Sequence, residues 1–182
     1  VPGMSIARLA LRDCPAMGAG QSIRGFGSEA TMDRDDVVST LNDLIETCKN
    51  GEAGFLTCAE RAGSADVKAL MSDGATRCAD GASELQQLVM SYGGEPETDG
   101  SIAGSLHRGW VNVKTTMNDN PDLAVLEECE KGEDVAKLAY ANCLKTDLPP
   151  DVRMVVQRQY DGVLRNHDRV RAMRDTFRAA AQ

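Results

Sequence analysis

The sequence predicts an all-α protein that folds as a four-helix bundle, and three observations lead to this class. Aromatic residues make up only 4% of the 182-residue chain, whereas alanine, leucine, methionine, glutamate, lysine and arginine, which favour helices over strands, are frequent. Apolar residues recur every three or four positions along four long segments, which is the periodicity of an amphipathic helix. Finally, the chain contains an internal repeat, which indicates two related helical hairpins.

The repeat consists of two short segments that recur in the same order in each half of the chain. Residues 46–52 (ETCKNGE) return as residues 127–133 (EECEKGE), and residues 73–80 (DGATRCAD) return as residues 161–168 (DGVLRNHD). Either match alone could arise by chance. Two matches in the same order, at nearly the same offset, indicate a duplicated helical hairpin with one glutamate of each half at an equivalent position.

The first predicted hairpin contains two long helices. The first runs from about Asp35 to Ala62. Its Asn50-Gly51 pair would ordinarily indicate a turn, but the stripe of inward-facing residues continues with the same spacing across the pair. We therefore expect an unbroken or locally bulged helix. Ser64 is a suitable N-cap for the second helix, and the glycines and proline of residues 93–96 end it. The expected inward positions are Val37, Leu41, Leu44, Cys48, Glu52, Phe55, Ala59 and Ala62 in the first helix, and Val67, Leu70, Met71, Gly74, Cys78, Gly81, Leu85, Leu88 and Tyr92 in the second.

The second predicted hairpin follows a long connection. An extra short helix is expected in this connection, from Ser101 to Met117. Asn120-Pro121 then supplies an N-cap and a first-turn proline for the third long helix, and Pro149-Pro150 opens the fourth. The expected inward positions are Leu126, Cys129, Glu133, Ala136, Tyr140 and Cys143 in the third helix, and Val152, Val155, Val156, Gln159, Val163, Asn166, Val170, Met173 and Phe177 in the fourth.

The charge distribution argues against nucleic-acid and membrane partners. The net charge is −8, which disfavours broad attraction to polyanions, and no stretch approaches the roughly 20 apolar residues of a membrane-spanning helix. The pairs Asp73/Arg77 and Asp161/Arg165 have the spacing of ion pairs on outward helix faces. A basic run in the last helix is interpreted as a solvated or subunit-contacting face; it contains Arg165, Arg169, Arg171, Arg174 and Arg178.

Residues 1–31 differ in character from the rest of the chain. They are rich in glycine and lack sustained periodicity, so they are predicted to be a disordered leader or upstream extension, with the folded domain at residues 32–182 and translation starting at Met32. No secretory pattern is present, and a cytoplasmic location is expected. The cysteines show no paired spacing and are interpreted as small buried hydrophobic residues, with the exception of Cys14 in the leader.

Three segments carry a resemblance to a known family. They are residues 35–52, residues 105–114 around Trp110, and residues 166–170 around His167. Together they resemble a bacterial four-helix-bundle family of unknown function that is grouped with the ferritin-like proteins, over residues 33 to about 175. The resemblance implies a ferritin-like bundle, in which two hairpins are joined by a long crossover. It implies no activity.

A ferritin-like bundle raises the question of a di-iron site. Such a site takes one glutamate from each of two helices and an inward Glu-x-x-His motif from each of the other two. Glu52 and Glu133 satisfy the first requirement, because both are glutamates and both are expected to face the interior of the bundle. The second requirement fails, because Glu84 is followed by Gln87 and His167 is preceded by Leu164 at the corresponding positions.

The two glutamates therefore have two interpretations. In the favoured one they are internal structural polar groups that share a proton or meet Gln159, Asn166 or Tyr140, because a buried carboxylate requires a partner. In the other they bind iron or manganese, with His167 as a conceivable further ligand. His167 itself is expected at a helix flank.

The function predicted from the sequence is that of a non-enzymatic ferritin-like bundle, a homodimer that acts through protein association in a bacterial housekeeping or stress setting. No catalytic residues and no organic cofactor are predicted, and whether the chain is an enzyme is left open. One alternative is a degenerate carboxylate-bridged metal protein of oxidoreductase type that uses Glu52 and Glu133. A second is a cysteine redox protein, which requires a thiol of depressed pKa.

Overall fold

The computed structural model describes residues 32–98 and 120–180, and within these ranges all regular secondary structure is helical. The four helices are α1 (Arg34–Arg61), α2 (Ala65–Ser91), α3 (Pro121–Cys143) and α4 (Pro150–Ala180). All four long helices predicted from the sequence are confirmed. The predicted leader (residues 1–31) and the predicted short helix at residues 101–117 lie outside the described residues.

The helix boundaries follow from local capping chemistry. The side chains of Asp33, Ser64 and Asn120 accept hydrogen bonds from backbone N–H groups in the first turns of α1, α2 and α3, which satisfies donors that have no partner inside the helix. Gly93, with φ of 67°, follows α2 and adopts the left-handed conformation that suits glycine. The predicted N-caps at Ser64 and Asn120 are thus confirmed.

α1 runs through Asn50-Gly51 without a break. A Cβ atom added at Gly51 would lie 3.0 Å from the Sγ atom of Cys78 in α2. Glycine therefore lets the two helices approach closely here, and the helix continues because its apolar stripe is packed on both sides of the glycine.

The packing of the helices is uneven. α1 packs along α2, α3 packs along α4, and α1 also contacts α3, whereas α2 and α4 make little contact. At one end of the bundle the buried Asp122 carboxylate of α3 accepts hydrogen bonds from the backbone N–H groups of Gly63, at 2.6 Å, and Ser64, at 2.9 Å. This contact joins the turn of the first hairpin to the start of the second.

The apolar core is divided into two clusters along the bundle. One cluster contains Val37, Leu41, Leu44, Ile45, Cys48, Ala82, Leu85, Val89, Tyr140, Cys143, Leu148, Val152 and Val156. The other contains Phe55, Cys58, Ala59, Val67, Leu70, Met71, Ala75, Val125, Leu126, Cys129 and Val170. The central part of the bundle lies between the two clusters and is less fully packed than either.

Ion pairs join the helices at the surface. Asp73 of α2 pairs with Arg77 of the same helix, as predicted, and with Arg169 of α4 at 2.8 Å. The predicted Asp161/Arg165 pair is wrong, because Asp161 instead accepts a hydrogen bond from Gln157. In the basic run, Arg169, Arg174 and Arg178 pair with carboxylates of α2 and α3, so part of the predicted solvated face connects helices within the chain. None of the described helices is long and apolar enough to cross a membrane.

Candidate ligand-binding site

A cavity of about 860 Å³ lies in the middle of the bundle, and residues of all four helices line it. Glycines help to create the space. A Cβ atom added at Gly162 of α4 would meet only the guanidinium group of Arg165, at 3.8 Å. The loose approach of α2 and α4 leaves this part of the interior unfilled, with the apolar side chains of Phe55 and Val163 in its walls.

Glu133 of α3 is the buried carboxylate of the cavity, with only 5% of its surface exposed. Its Oε1 atom accepts a hydrogen bond from the side-chain amide of Asn166 in α4. Its Oε2 atom is buried and has no hydrogen-bond partner among the described residues. Burial raises the pKa of Glu133 to about 7, because the apolar surroundings disfavour the charged form.

A polar chain extends from Glu133 to the surface. The Asn166 side-chain oxygen accepts a hydrogen bond from Arg77 of α2, and Arg77 is paired with Asp73. Arg77 thus contacts Asn166 and not the Glu133 carboxylate directly. The amide of Asn166 is satisfied on both sides, which fixes its orientation and leaves only the second oxygen of Glu133 without a donor.

A second polar chain crosses the cavity about two helical turns away. The Tyr140 hydroxyl of α3 donates to the side-chain oxygen of Gln159 at 2.7 Å, and the Gln159 amide donates to Glu84 of α2 at 2.8 Å. Glu84 also pairs with Arg158 at the surface. Burial raises the pKa of Tyr140 above its usual range, so the hydroxyl remains protonated at neutral pH.

The thiols at the cavity are protonated as well. Burial raises the pKa of Cys78 to about 12 and also raises the pKa of Cys48, whose Sγ atom lies 3.1 Å from the Tyr140 hydroxyl. The pKa of Cys129, which does not line the cavity, is also raised, first through its hydrogen bond with Cys58 and then through burial. A thiol must ionise to act as a nucleophile. These environments are the opposite of what the cysteine redox hypothesis requires.

The glutamates predicted from the sequence have different environments. Glu133 meets Asn166, which is one of the three partners that the structural interpretation offered. The expectation that Glu52 also faces inward is wrong: its side chain is 31% exposed, it lies 3.9 Å from Lys49, and it is not among the residues that line the cavity.

His167 is more buried than its expected position at a helix flank, with 7% of its surface exposed. Its Nε2 atom lies 3.2 Å from the Asp134 carboxylate and 3.3 Å from the Lys137 amine, both in α3. The ring belongs to this contact between α3 and α4, and it is not among the residues that line the cavity.

The described side chains do not fit the di-iron centre of ferritin-like proteins. Within residues 32–98 and 120–180, no group of three or more histidine, cysteine, aspartate or glutamate side chains could hold a metal ion. In the cavity, Glu133 is hydrogen-bonded to Asn166, and Glu84 is held by Arg158 and Gln159. Metal binding by Glu52 and Glu133 stays a prediction from the sequence.

Several residues of the cavity were not singled out by the sequence. Asn50 of α1 lines the cavity, and its buried side-chain oxygen has no hydrogen-bond partner among the described residues. Arg77 was expected only in a surface ion pair, but it also reaches Asn166. The sequence signal for the cavity was the pair of glycines Gly81 and Gly162, which line it. Small residues in a helix can leave space inside a bundle as well as permit close packing.

Comparison with known proteins supports the fold. A family model described as "Domain of unknown function (DUF2383)" matches residues 36–146. Among solved structures, the chain is similar to a two-domain protein from Anabaena variabilis that contains DJ-1/ThiJ/PfpI-like and ferritin-like domains, with a TM-score of 0.67 and 15% sequence identity. The match covers 84% of this chain and 40% of that chain. At this identity the likeness shows the fold alone, and it confirms the predicted ferritin-like four-helix bundle. No curated protein matches the chain.

Proposed function

We propose that this chain, which belongs to the family described as Domain of unknown function (DUF2383), is a non-enzymatic binding protein that holds a small molecule in the cavity at the centre of its bundle. The observation that supports this most directly is that Glu133, which lines a cavity of about 860 Å³, has a buried Oε2 atom without a hydrogen-bond partner among the described residues. Ligand sites typically have volumes of about 300–1,000 Å³, with mostly apolar walls and a few polar groups that orient the ligand. The cavity has these properties.

The chemistry of the walls favours binding over catalysis. Cys48, Cys78 and Tyr140 have raised pKa values and stay protonated at neutral pH. Glu133, with a pKa of about 7, is able to exchange a proton, but general acid–base catalysis also requires a positioned nucleophile or a group that stabilises developing charge. A polar group that is buried and unsatisfied is more simply completed by a bound molecule.

A dye titration tests the proposal. The neutral dye N-phenyl-1-naphthylamine becomes fluorescent in apolar surroundings, so saturable binding at one site per chain is expected for the wild type. Gly162→Leu introduces a side chain where the added Cβ has no close neighbour, and it should weaken dye binding at least tenfold by filling the cavity. Ala172→Leu makes a similar change at an exposed position of α4 and should bind the dye like the wild type.

Three outcomes contradict the proposal. One is the absence of saturable dye binding to folded wild-type protein. Another is equal binding by the wild type and Gly162→Leu when circular dichroism shows the same helix content in both. Loss of dye binding in Ala172→Leu as well would also count against the cavity as the binding site.

The remaining expectations from the sequence stay proposals with their own tests. Light scattering coupled to size-exclusion chromatography tests the proposed homodimer, and cell fractionation tests the cytoplasmic location. A role in protein association, housekeeping or stress would appear as a change in growth or survival after gene deletion. Elemental analysis of wild type beside a Glu52→Ala/Glu133→Ala variant tests the predicted iron or manganese.

A further inference from the structure

The two unsatisfied polar atoms at the cavity have the same chemical character. Glu133 Oε2 and the Asn50 side-chain oxygen are both buried, and both lack a hydrogen-bond partner among the described residues. They come from α3 and α1, and both residues line the cavity. The amide oxygen of Asn50 accepts hydrogen bonds, and so does the Oε2 atom when Glu133 is ionised. The missing partner is therefore a group with donors.

The charges around Glu133 show which donor suits it. The basic side chains that line the cavity are already engaged: Arg77 with Asp73 and Asn166, Lys131 with Glu128 at 2.9 Å, and Arg158 with Glu84. Arg77 and, to a smaller extent, Lys137 of α3 act on Glu133 through their charges. The Lys137 amine is held by Asp134 at 3.1 Å, and the Asp134 carboxylate opposes its effect. Glu133 is thus the buried carboxylate of the cavity without a cation in contact.

The rest of the cavity is suited to an apolar body. Phe55 from α1 and Val163 from α4 form parts of the wall, and the thiols of Cys48 and Cys78 are protonated and uncharged. Gly162 leaves space on the side of α4. A molecule with one polar end and an apolar remainder can place its donors at Glu133 and bury its apolar part against these side chains.

We infer that the cavity binds small organic cations, molecules with one protonated amine and an apolar body, and that the amine donates to Glu133 Oε2. This inference rests on the proposed function and specifies the ligand. An alcohol of the same shape would satisfy the hydrogen bond without neutralising the charge. A carboxylate of the same shape would place a second negative charge beside Glu133.

A matched set of probes tests the inference. 1-Naphthylmethylamine, 1-naphthalenemethanol and 1-naphthoate share an apolar body and differ in charge, and their binding is measured by calorimetry near pH 8. The wild type is expected to bind the amine at least tenfold more tightly than the alcohol, and the carboxylate more weakly than the alcohol. Glu133→Gln should remove the preference for the amine and retain binding of the alcohol.

Glu84→Gln serves as the matched control. It makes the same substitution at a carboxylate that lines the same cavity but is already paired with Arg158, so the preference for the amine should persist. Equal binding of amine and alcohol by the wild type, or a preference that survives Glu133→Gln, overturns the inference while leaving the proposed function in place. If none of the three compounds binds the folded wild type, both the inference and the proposed function are overturned.

Discussion

Asn166 of α4 donates a hydrogen bond to Glu133 of α3 in the buried centre of the bundle. The contact satisfies one oxygen of the carboxylate and leaves the other without a partner among the described residues, in a side chain that lines the cavity. It joins the two helices of the second hairpin at the place where the apolar core is interrupted. The stability of the bundle and its proposed binding function therefore depend on the same carboxylate.

Removal of the Asn166 side chain is expected to destabilise the protein. Asn166→Ala leaves Glu133 without a hydrogen bond and Arg77 without one of its acceptors, so the free energy of unfolding should fall by about 2 kcal/mol. Urea denaturation measures this change. In a Glu133→Leu background the same substitution should cost about 1 kcal/mol less, because the carboxylate is no longer present. Equal costs in the two backgrounds would show that the hydrogen bond contributes nothing.

The stability of the protein is expected to depend on the ionisation of Glu133. Burial raises the pKa from 4.5 to about 7, so the folded chain retains a proton that the unfolded chain has already released. Ionisation of Glu133 thus favours unfolding. Its contribution to the free energy of unfolding should fall by about 3 kcal/mol as the pH rises from about 4.5 to about 7, and stay constant above that range.

Urea denaturation of wild type and Glu133→Gln between pH 4.5 and pH 8 measures this contribution. The variant should lack the decrease, and it should be more stable than the wild type above pH 7. Glu84→Gln should retain the decrease, because hydrogen bonds from Arg158 and Gln159 lower the pKa of Glu84 against the opposing effect of its burial. A pH profile of Glu133→Gln parallel to that of the wild type would contradict the assignment.

Two glycines of the bundle are expected to respond in opposite ways to alanine. A Cβ atom at Gly74 of α2 would lie 2.6 Å from the Phe55 ring, so Gly74→Ala should destabilise the protein by about 1–3 kcal/mol through overpacking. A Cβ atom at Gly162 has space, so Gly162→Ala should stabilise α4 by up to about 1 kcal/mol. Chemical denaturation of both variants checks the pair, and destabilisation by Gly162→Ala would contradict the open wall of the cavity.

Asp122 is expected to hold the two hairpins together. Its buried carboxylate accepts hydrogen bonds from the backbone of Gly63 and Ser64, so Asp122→Ala should lower the free energy of unfolding by about 2 kcal/mol. Asp122→Asn keeps one acceptor oxygen and should lose less. Thermal denaturation followed by circular dichroism distinguishes these results, and an unchanged midpoint in Asp122→Ala would contradict the role.

The fold was predictable because its determinants are local. The N-caps at Ser64 and Asn120, the glycine at residue 93 and the repeated spacing of apolar residues define the helices without reference to distant contacts. The internal repeat and the resemblance to the ferritin-like family then indicated which helices pair into hairpins. The inward position of Glu133 followed from the same periodicity, which also placed Asn166 among three candidate partners for it.

The cavity was not predictable by this reasoning. Periodicity shows which face of a helix is buried, but not how far apart two helices lie, and the space exists because α2 and α4 make little contact. The small residues at the centre of α2 have two different effects. Gly74 does accommodate Phe55, whereas Gly81 lines the cavity. Glu52 and His167 lie near the boundaries of their apolar stripes, where a rotation of a few tens of degrees about the helix axis decides whether the side chain is buried.

A crystal structure of the protein with a brominated form of 1-naphthylmethylamine tests the central claim most directly. The crystals are prepared at a concentration that saturates binding in solution, and the anomalous signal of bromine locates the probe. The account predicts one bromine inside the cavity, with the amine of the probe within hydrogen-bond distance of Glu133 Oε2. Bromine found only on the outer surface of the bundle, with the cavity free of probe, would contradict it.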